Sequence, residues 1–252
     1  MANPVAGAAP DKTPARIAGM FDAIAPRYDL LNRLLSGGID RQWRAKAIAS
    51  LQLTGRETLV DVCTGTADVA LEASGRARRV VGIDFAGAML ELGLQKIRMA
   101  VPSPPIALVR ADAMRLPVGD ACAEAATVAF GIRNVQNAAV ACAELARVLR
   151  PGGRLAILEF GIPPIPGIRR LYLWYFRRVL PLVGRAISGH TGAYSYLPAS
   201  VGTFPPPTEF MTVLQRAGFA EVRAVPLTFG IVYLYAAVKR GDGQMAGEPL
   251  SH

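Results

Sequence analysis

Residues 59–71, LVDVCTGTADVAL, read as an apolar strand, a glycine turn and the first turns of a helix. Three spaced glycines mark a dinucleotide-binding turn, and here only the central Gly65 stands, with Cys63 and Ala67 in the outer places. Working outward, the unit recurs. RVVGID precedes AGAMLELGLQKIRMA, IALVRAD follows, EAATVAFGI leads to NAAVACAELARVL, and GRLAILEF makes a fifth strand. Short continuous apolar runs alternating with helices predict a parallel sheet covered on both faces. TEFMTVLQRAGF is a further helix, and EVRAVPLTFGIVYLYAAVKR supplies two closing strands. The fold class is therefore α/β, a doubly wound, mostly parallel seven-stranded sheet.

The flanks fill in the organisation. Residues 1–14 are expected to form a disordered arm, and 15–240 a single domain. Within it, 15–51 is helical, with Pro26 and Gly37-Gly38 as breaks, and 161–207 is an insertion rich in proline, aromatics and arginine. Residues 241–252 are expected to be a disordered tail. At 252 residues, one substantial core is affordable without a second domain.

Composition excludes some functions and leaves others open. The chain is 52% hydrophobic with mean hydropathy +0.29, yet no run reaches the roughly 18 uncharged apolar residues that span a bilayer. The N-terminus has no basic-then-apolar secretory pattern, which predicts a cytoplasmic protein. Three scattered cysteines predict buried thiols, and two histidines are too few for a histidine metal cluster, so no metal is expected. The net charge of +9 suits nucleic acid, an anionic membrane surface or an acidic substrate.

Ligands of an open parallel sheet bind beyond the carboxyl ends of its strands, where strand order reverses. The Gly65 turn lies there, with Asp61 on the strand before it and Thr66 after it as a helix cap. Asp84 ends the second strand and can accept hydrogen bonds from ribose hydroxyls. Asp112 closes the third, beside Ala113, well placed for an adenine. The missing glycines argue against a pyrophosphate, and a cofactor with a nucleoside but no phosphate, such as S-adenosylmethionine, suits the loop better.

Three stretches carry a resemblance. FDAIAPRYDLLNRLLSGGIDRQW (21–43), FGIRNV (130–135) and RVLRPGG (147–153) resemble the UbiE/MenG/COQ5 family of class I S-adenosylmethionine-dependent C-methyltransferases; YSYLPASVGTFP (194–205) is similar to a later stretch. Asp40 stands where the family usually has histidine, and Cys63 and Ala67 where it has glycines. The resemblance implies methylation of the reduced ring of a polyprenyl quinone precursor, demethylmenaquinol to menaquinol first, with a ubiquinone-pathway benzoquinol or another small phenol or lipid as alternatives. A non-catalytic scaffold of a quinone-synthesis complex is the rival from another class.

Such a transfer needs alignment and exclusion of water. The resemblance implies Arg133 and Asn134 as catalytic residues at the ring hydroxyl, Phe130 on the cofactor, and Tyr28, Tyr194 and Tyr196 against the substrate. Aromatic faces can also cover a sulfonium cation. His190 reads as a plain loop residue. In IRRLYLWYFRRVLPLV, helical spacing gathers Ile168, Tyr172, Tyr175 and Val179 on one stripe, and Arg170, Trp174, Arg177 and Arg178 on another side. That segment reads equally as an interfacial membrane helix or a lid over the site. The partners expected are the polyprenylated hydroquinone, the inner face of the membrane and a second copy of the chain, with no nucleic acid.

Overall fold

The computed structural model describes residues 10–179 and 192–241. The outer parts of the predicted arm and tail, residues 1–9 and 242–252, lie outside the described residues, as does His190. Seven strands form one sheet: β1 (Thr58–Val62), β2 (Arg79–Asp84), β3 (Ile106–Arg110), β4 (Ala123–Ala129), β5 (Leu149–Phe160), β6 (Phe219–Leu227) and β7 (Val232–Lys239), in the order β3-β2-β1-β4-β5-β7-β6. β1 to β5 pair in parallel, and β7 runs antiparallel to both β5 and β6. Order reverses between β1 and β4, so the loops after these two strands open onto one crevice.

Strand β1 shows why the sheet sits between two layers. All five of its residues are buried. Leu59 packs into a cluster with Trp43, Ile48 and Val69, whereas Val60 and Val62 join Leu145, Phe210 and Leu214 on the opposite face. Alternation with period two sends neighbours to opposite faces, and both faces are covered, so the strand reads as apolar throughout. Helices α2 (Asp40–Ser50) and α3 (Asp68–Ser74) cover the first face; α5 (Ala138–Val148) and α8 (Pro207–Arg216) cover the second. Each such side chain contributes about 1.5–3 kcal/mol by leaving water.

Helix α1 (Pro14–Ser36) runs through Pro26, which was expected to break it. A proline inside a helix loses one backbone bond and crowds the preceding turn. Here Phe21, Ile24, Ala25 and Tyr28 pack on Met89 of α4 (Gly87–Ala100), and this tertiary contact holds both halves in one line. The glycine pair Gly37-Gly38 does end α1, each with a positive φ. In the insertion, α6 (Pro166–Trp174) continues into a π-helical turn (Tyr175–Val179), and α7 spans Gly192–Thr203. Tyr172, Phe176 and Val201 pack there against Phe160 and Ile231, which seats the insertion over the carboxyl end of β5.

Candidate active site

Two recesses share a wall at the crevice. The first is a narrow cleft lined by Gly65 after β1, Asp84 after β2, Asp112 and Ala113 after β3, and Phe130 and Asn134 after β4. Gly65 has φ +56, and a Cβ built on it would meet nothing within 4 Å, so the glycine opens free space over the crevice. Its N–H donates to Asp84 Oδ2 at 2.8 Å, and Ala86 N–H donates to Asp84 Oδ1 at 2.9 Å. Burial raises the Asp84 carboxyl above its ordinary value despite these bonds. Asp112 Oδ1 accepts from Met114 N–H at 2.8 Å, closing a turn after β3. Asn134 Oδ1 is buried without a partner among the described residues. An open glycine, two carboxylates at adjacent strand ends and an unclaimed acceptor fit a nucleoside bearing hydroxyl and amine donors. Lys12, just ahead of α1, and Pro14, its first residue, also line the cleft.

Two residues read as cofactor contacts stand behind the loop instead. Asp61 is 1% exposed and accepts from Thr64 Oγ1 at 2.6 Å, away from the cleft lining. Desolvation, with the Asp84 charge adding to it, lifts its carboxyl to about 7. Thr66 does not cap α3. The cap position is Ala67, in the left-handed region at φ 64 with no side-chain bond, and the Thr66 hydroxyl donates to Asp29 Oδ1 at 2.7 Å. Lys96 Nζ reaches Thr66 Oγ1, Asp29 and Asp68, while Arg44 pairs with Asp40 at 2.8 Å and Asp68 at 3.4 Å. These charges bind the cofactor loop to α1, α2 and α4.

The second recess is an apolar cavity of about 450 Å³ between α1, α2 and the insertion. Phe21, Tyr28 and Phe130 line both recesses. Ile168, Tyr172 and Tyr175 face the cavity, as the stripe predicted, and so does Trp174 from the other predicted side. Arg133 and Tyr196 line it too. The side chains of Tyr194 and Arg177 lie outside the described residues. Tyr28, Tyr196, Phe130 and Arg133 thus line one cavity, whereas Asn134, expected beside Arg133 at the ring hydroxyl, lines the neighbouring cleft instead.

Glu159, which no sequence motif marks, organises the centre. It is fully buried at the end of β5; its Oε1 accepts from Arg133 Nη1 at 2.6 Å and its Oε2 from the Arg133 N–H at 3.1 Å. Arg133 also donates to the Phe130 carbonyl at 2.5 Å and to Ser200 Oγ at 3.4 Å, and its guanidinium lies 5.3 Å from the Phe160 ring centre. The only trace in sequence was the acid in LEF, closing an otherwise apolar strand.

The model of the ubiE/COQ5 methyltransferase family matches residues 10–239. The chain is 45% identical to the ubiquinone/menaquinone biosynthesis C-methyltransferase UbiE of Geobacter sp. (strain M21), over 89% of this chain and 96% of that one. It is also 45% identical to the demethylmenaquinone methyltransferase of Thermus thermophilus, over 88% of this chain and 99% of that one. In fold it is similar to the crystal structure of a putative S-adenosyl-L-methionine-dependent methyltransferase from Methanococcus maripaludis, with a TM-score of 0.63 at 17% identity, covering 89% of this chain and 96% of that one. The doubly wound sheet is thus the class I methyltransferase architecture, and the chain belongs to the ubiE/COQ5 methyltransferase family.

Proposed function

We propose that the protein transfers a methyl group from S-adenosylmethionine to a ring carbon of a reduced polyprenyl quinone precursor, demethylmenaquinol first. The observation that carries this is the apolar cavity of about 450 Å³ sharing Phe21, Tyr28 and Phe130 with the nucleoside cleft. A greasy ring and a nucleoside seated in adjoining recesses bring a ring carbon and a methyl group to one wall. The bound cofactor supplies an electrophilic methyl on a sulfonium.

This chain's residues do the rest. Asp84 receives the ribose hydroxyls and Asp112 the adenine amine. Once its conjugated hydroxyl loses a proton to water, the ring carbon would carry the electron pair for a new bond to the donated methyl, and sulfur would keep the pair of the bond given up. Loss of the ring proton, also to water, would restore aromaticity. Arg133 faces the charge that develops on the ring oxygen, where fixed charge acts most strongly. Glu159 holds the guanidinium in place and cancels its charge, so the cavity stays hospitable to an apolar ring.

Access to a prenylated ring is from the bilayer surface. No described helix is long and apolar enough to cross a membrane. Leu171 and Trp174, 64% and 57% exposed, line the cavity from α6, next to the exposed Arg170 and Arg178. Apolar side chains flanked by cations suit an anionic interface. Replacing Leu171 and Trp174 with glutamine is expected to abolish flotation with anionic liposomes; undiminished flotation refutes docking through α6. A homodimer is read out from the same preparation by sedimentation.

Labelled S-adenosylmethionine incubated with reduced demethylmenaquinone and with the reduced benzoquinone precursor, followed by mass spectrometry of the ring, decides the substrate. Label in the naphthoquinol confirms the proposal, and label in the benzoquinol alone redirects it. Calorimetric silence toward S-adenosylmethionine leaves only a scaffold.

A further inference from the structure

Two phenolic hydroxyls in the apolar cavity have no partner among the described residues. Tyr172 on α6 is 6% exposed, Tyr196 on α7 is half-buried, and both line the cavity. Neither hydroxyl has a hydrogen-bond partner among the described residues. Buried polar atoms in folded proteins are nearly always paired, so an unpaired one calls for a reason. Two at one cavity, on two different helices, are a matched feature. The Tyr172 ring is fixed against Phe176, with centroids 4.2 Å apart, so its hydroxyl is held in place.

The surroundings say what these hydroxyls can take. Both sense the charges of Arg133 and Glu159. The other titratable and charged groups lining the cavity are Tyr28, Asp40, Arg44 and Tyr175. Asp40 is already committed to Ser36 and Arg44. Burial pushes both phenols upward from their ordinary value, so at neutral pH both are protonated and able to donate. A pair of unclaimed donors in an apolar chamber matches an oxygen on an aromatic ring, and matches it best when that oxygen carries negative charge.

We propose that Tyr172 and Tyr196 donate hydrogen bonds to the ring oxygen of the reduced quinone precursor and hold it as the phenolate that activates the adjacent carbon. This rests on the functional reading above and adds the recognition of the acceptor's charge state. Arg133 is paired with Glu159, so the tyrosine hydroxyls add donors that no carboxylate of the protein already claims. The insertion thereby reads the ring's chemistry as well as covering it.

Tyr172→Phe, Tyr196→Phe and the double variant remove only the oxygens. With the reduced precursor, kcat/KM is expected to fall about tenfold for each hydroxyl, while the Kd for S-adenosylmethionine holds and Tm stays or rises, because an unpaired buried group has been deleted. A double variant with the parental kcat/KM overturns the proposal. An independent reading uses 4-nitrophenol, whose phenolate absorbs in the visible. Its bound pKa is expected to rise by about one unit for each hydroxyl removed, a tenfold change in the ionisation equilibrium. Equal pKa values in parent and double variant, or no phenolate binding to the parent, count against the hydroxyls. A parent that methylates no quinol instead defeats the functional reading, and the two failures are thereby told apart.

Discussion

Exchanging Glu159 for glutamine tests the ion pair at the centre of the site. The carboxylate is fully buried and accepts from Arg133 Nη1 at 2.6 Å, from the Arg133 N–H at 3.1 Å and from the Phe160 N–H at 2.8 Å. The remaining partners of the guanidinium, Ser200 and the Phe130 carbonyl, are neutral. The variant leaves a buried cation without its counter-charge. Removing one partner of such a pair costs about 3–5 kcal/mol, and since glutamine keeps the shape and one acceptor, the lower end, about 3 kcal/mol, is expected. For a chain of this size that lowers Tm by about 6–12 °C, at roughly 2–4 °C per kcal/mol. Thermal melting followed by circular dichroism reads it. Methyl transfer should fall as well, because the backbone of the Ile132–Asn134 turn is tied to the same carboxylate. A joint Arg133→Met/Glu159→Gln variant should melt higher than the sum of the two single losses implies. An unchanged Tm in the Glu159→Gln protein, or simple additivity in the pair, refutes the reasoning.

Three further expectations follow from packing and charge. A Cβ on Gly131 would lie 2.2 Å from Cys63 Cβ and 2.8 Å from its Sγ. Gly131→Ala is therefore expected to cost about 2 kcal/mol or more in urea unfolding, and adding Cys63→Gly, at a site with φ 57, to recover most of it; persistence of the defect in the double variant argues against the clash. Asp61 has its folded pKa raised from 3.8 to about 7, so its ionisation opposes folding, with the penalty absent below the unfolded value and growing as pH climbs through that window. Asp61→Asn should thus gain stability relative to the parent at about pH 8 compared with about pH 5, and a difference independent of pH would show that Asp61 ionises freely. Finally, Lys96→Met strips the cation shared by Asp29 and Asp68, with an expected loss of about 1–3 kcal/mol in unfolding free energy and weaker S-adenosylmethionine binding by calorimetry; intact affinity means that the loop keeps its shape without the lysine.

The sheet was legible because local signals agreed with the global fold. VDV, VVGID and LAILEF are apolar runs that suit burial on both faces, and Asp84 and Asp112 mark strand ends by themselves. Pro26 misled, because a breaker's cost is local whereas the contact of α1 with α4 that overrides it is distant in sequence. Asp61 and Thr66 looked like ligand contacts by adjacency to Gly65, but a side chain's direction within a tight turn depends on the partners awaiting it. For Thr66 the partner is Asp29, 37 positions away. Glu159 and Arg133 are 26 apart, and nothing in a single chain pairs one acid with one base over that span. Tyr172 is visible as a member of an apolar stripe, yet only packing reveals that its hydroxyl has no partner among the described residues.

The ionic contacts joining Asp29, Asp40, Arg44, Asp68 and Lys96 have a bearing on redesign. The first two helices form one wall of the ring chamber, and they are fastened to the back of the nucleoside loop by opposite charges drawn from four helices. A chimera that imports those helices to change ring preference must import the residues matching Asp68 and Lys96 with them, or it will inherit carboxylates with no cation to face. Swaps of α6 and α7 leave those ionic contacts in place, and of the bonds described they must keep the Ser200 hydroxyl that accepts from Arg133.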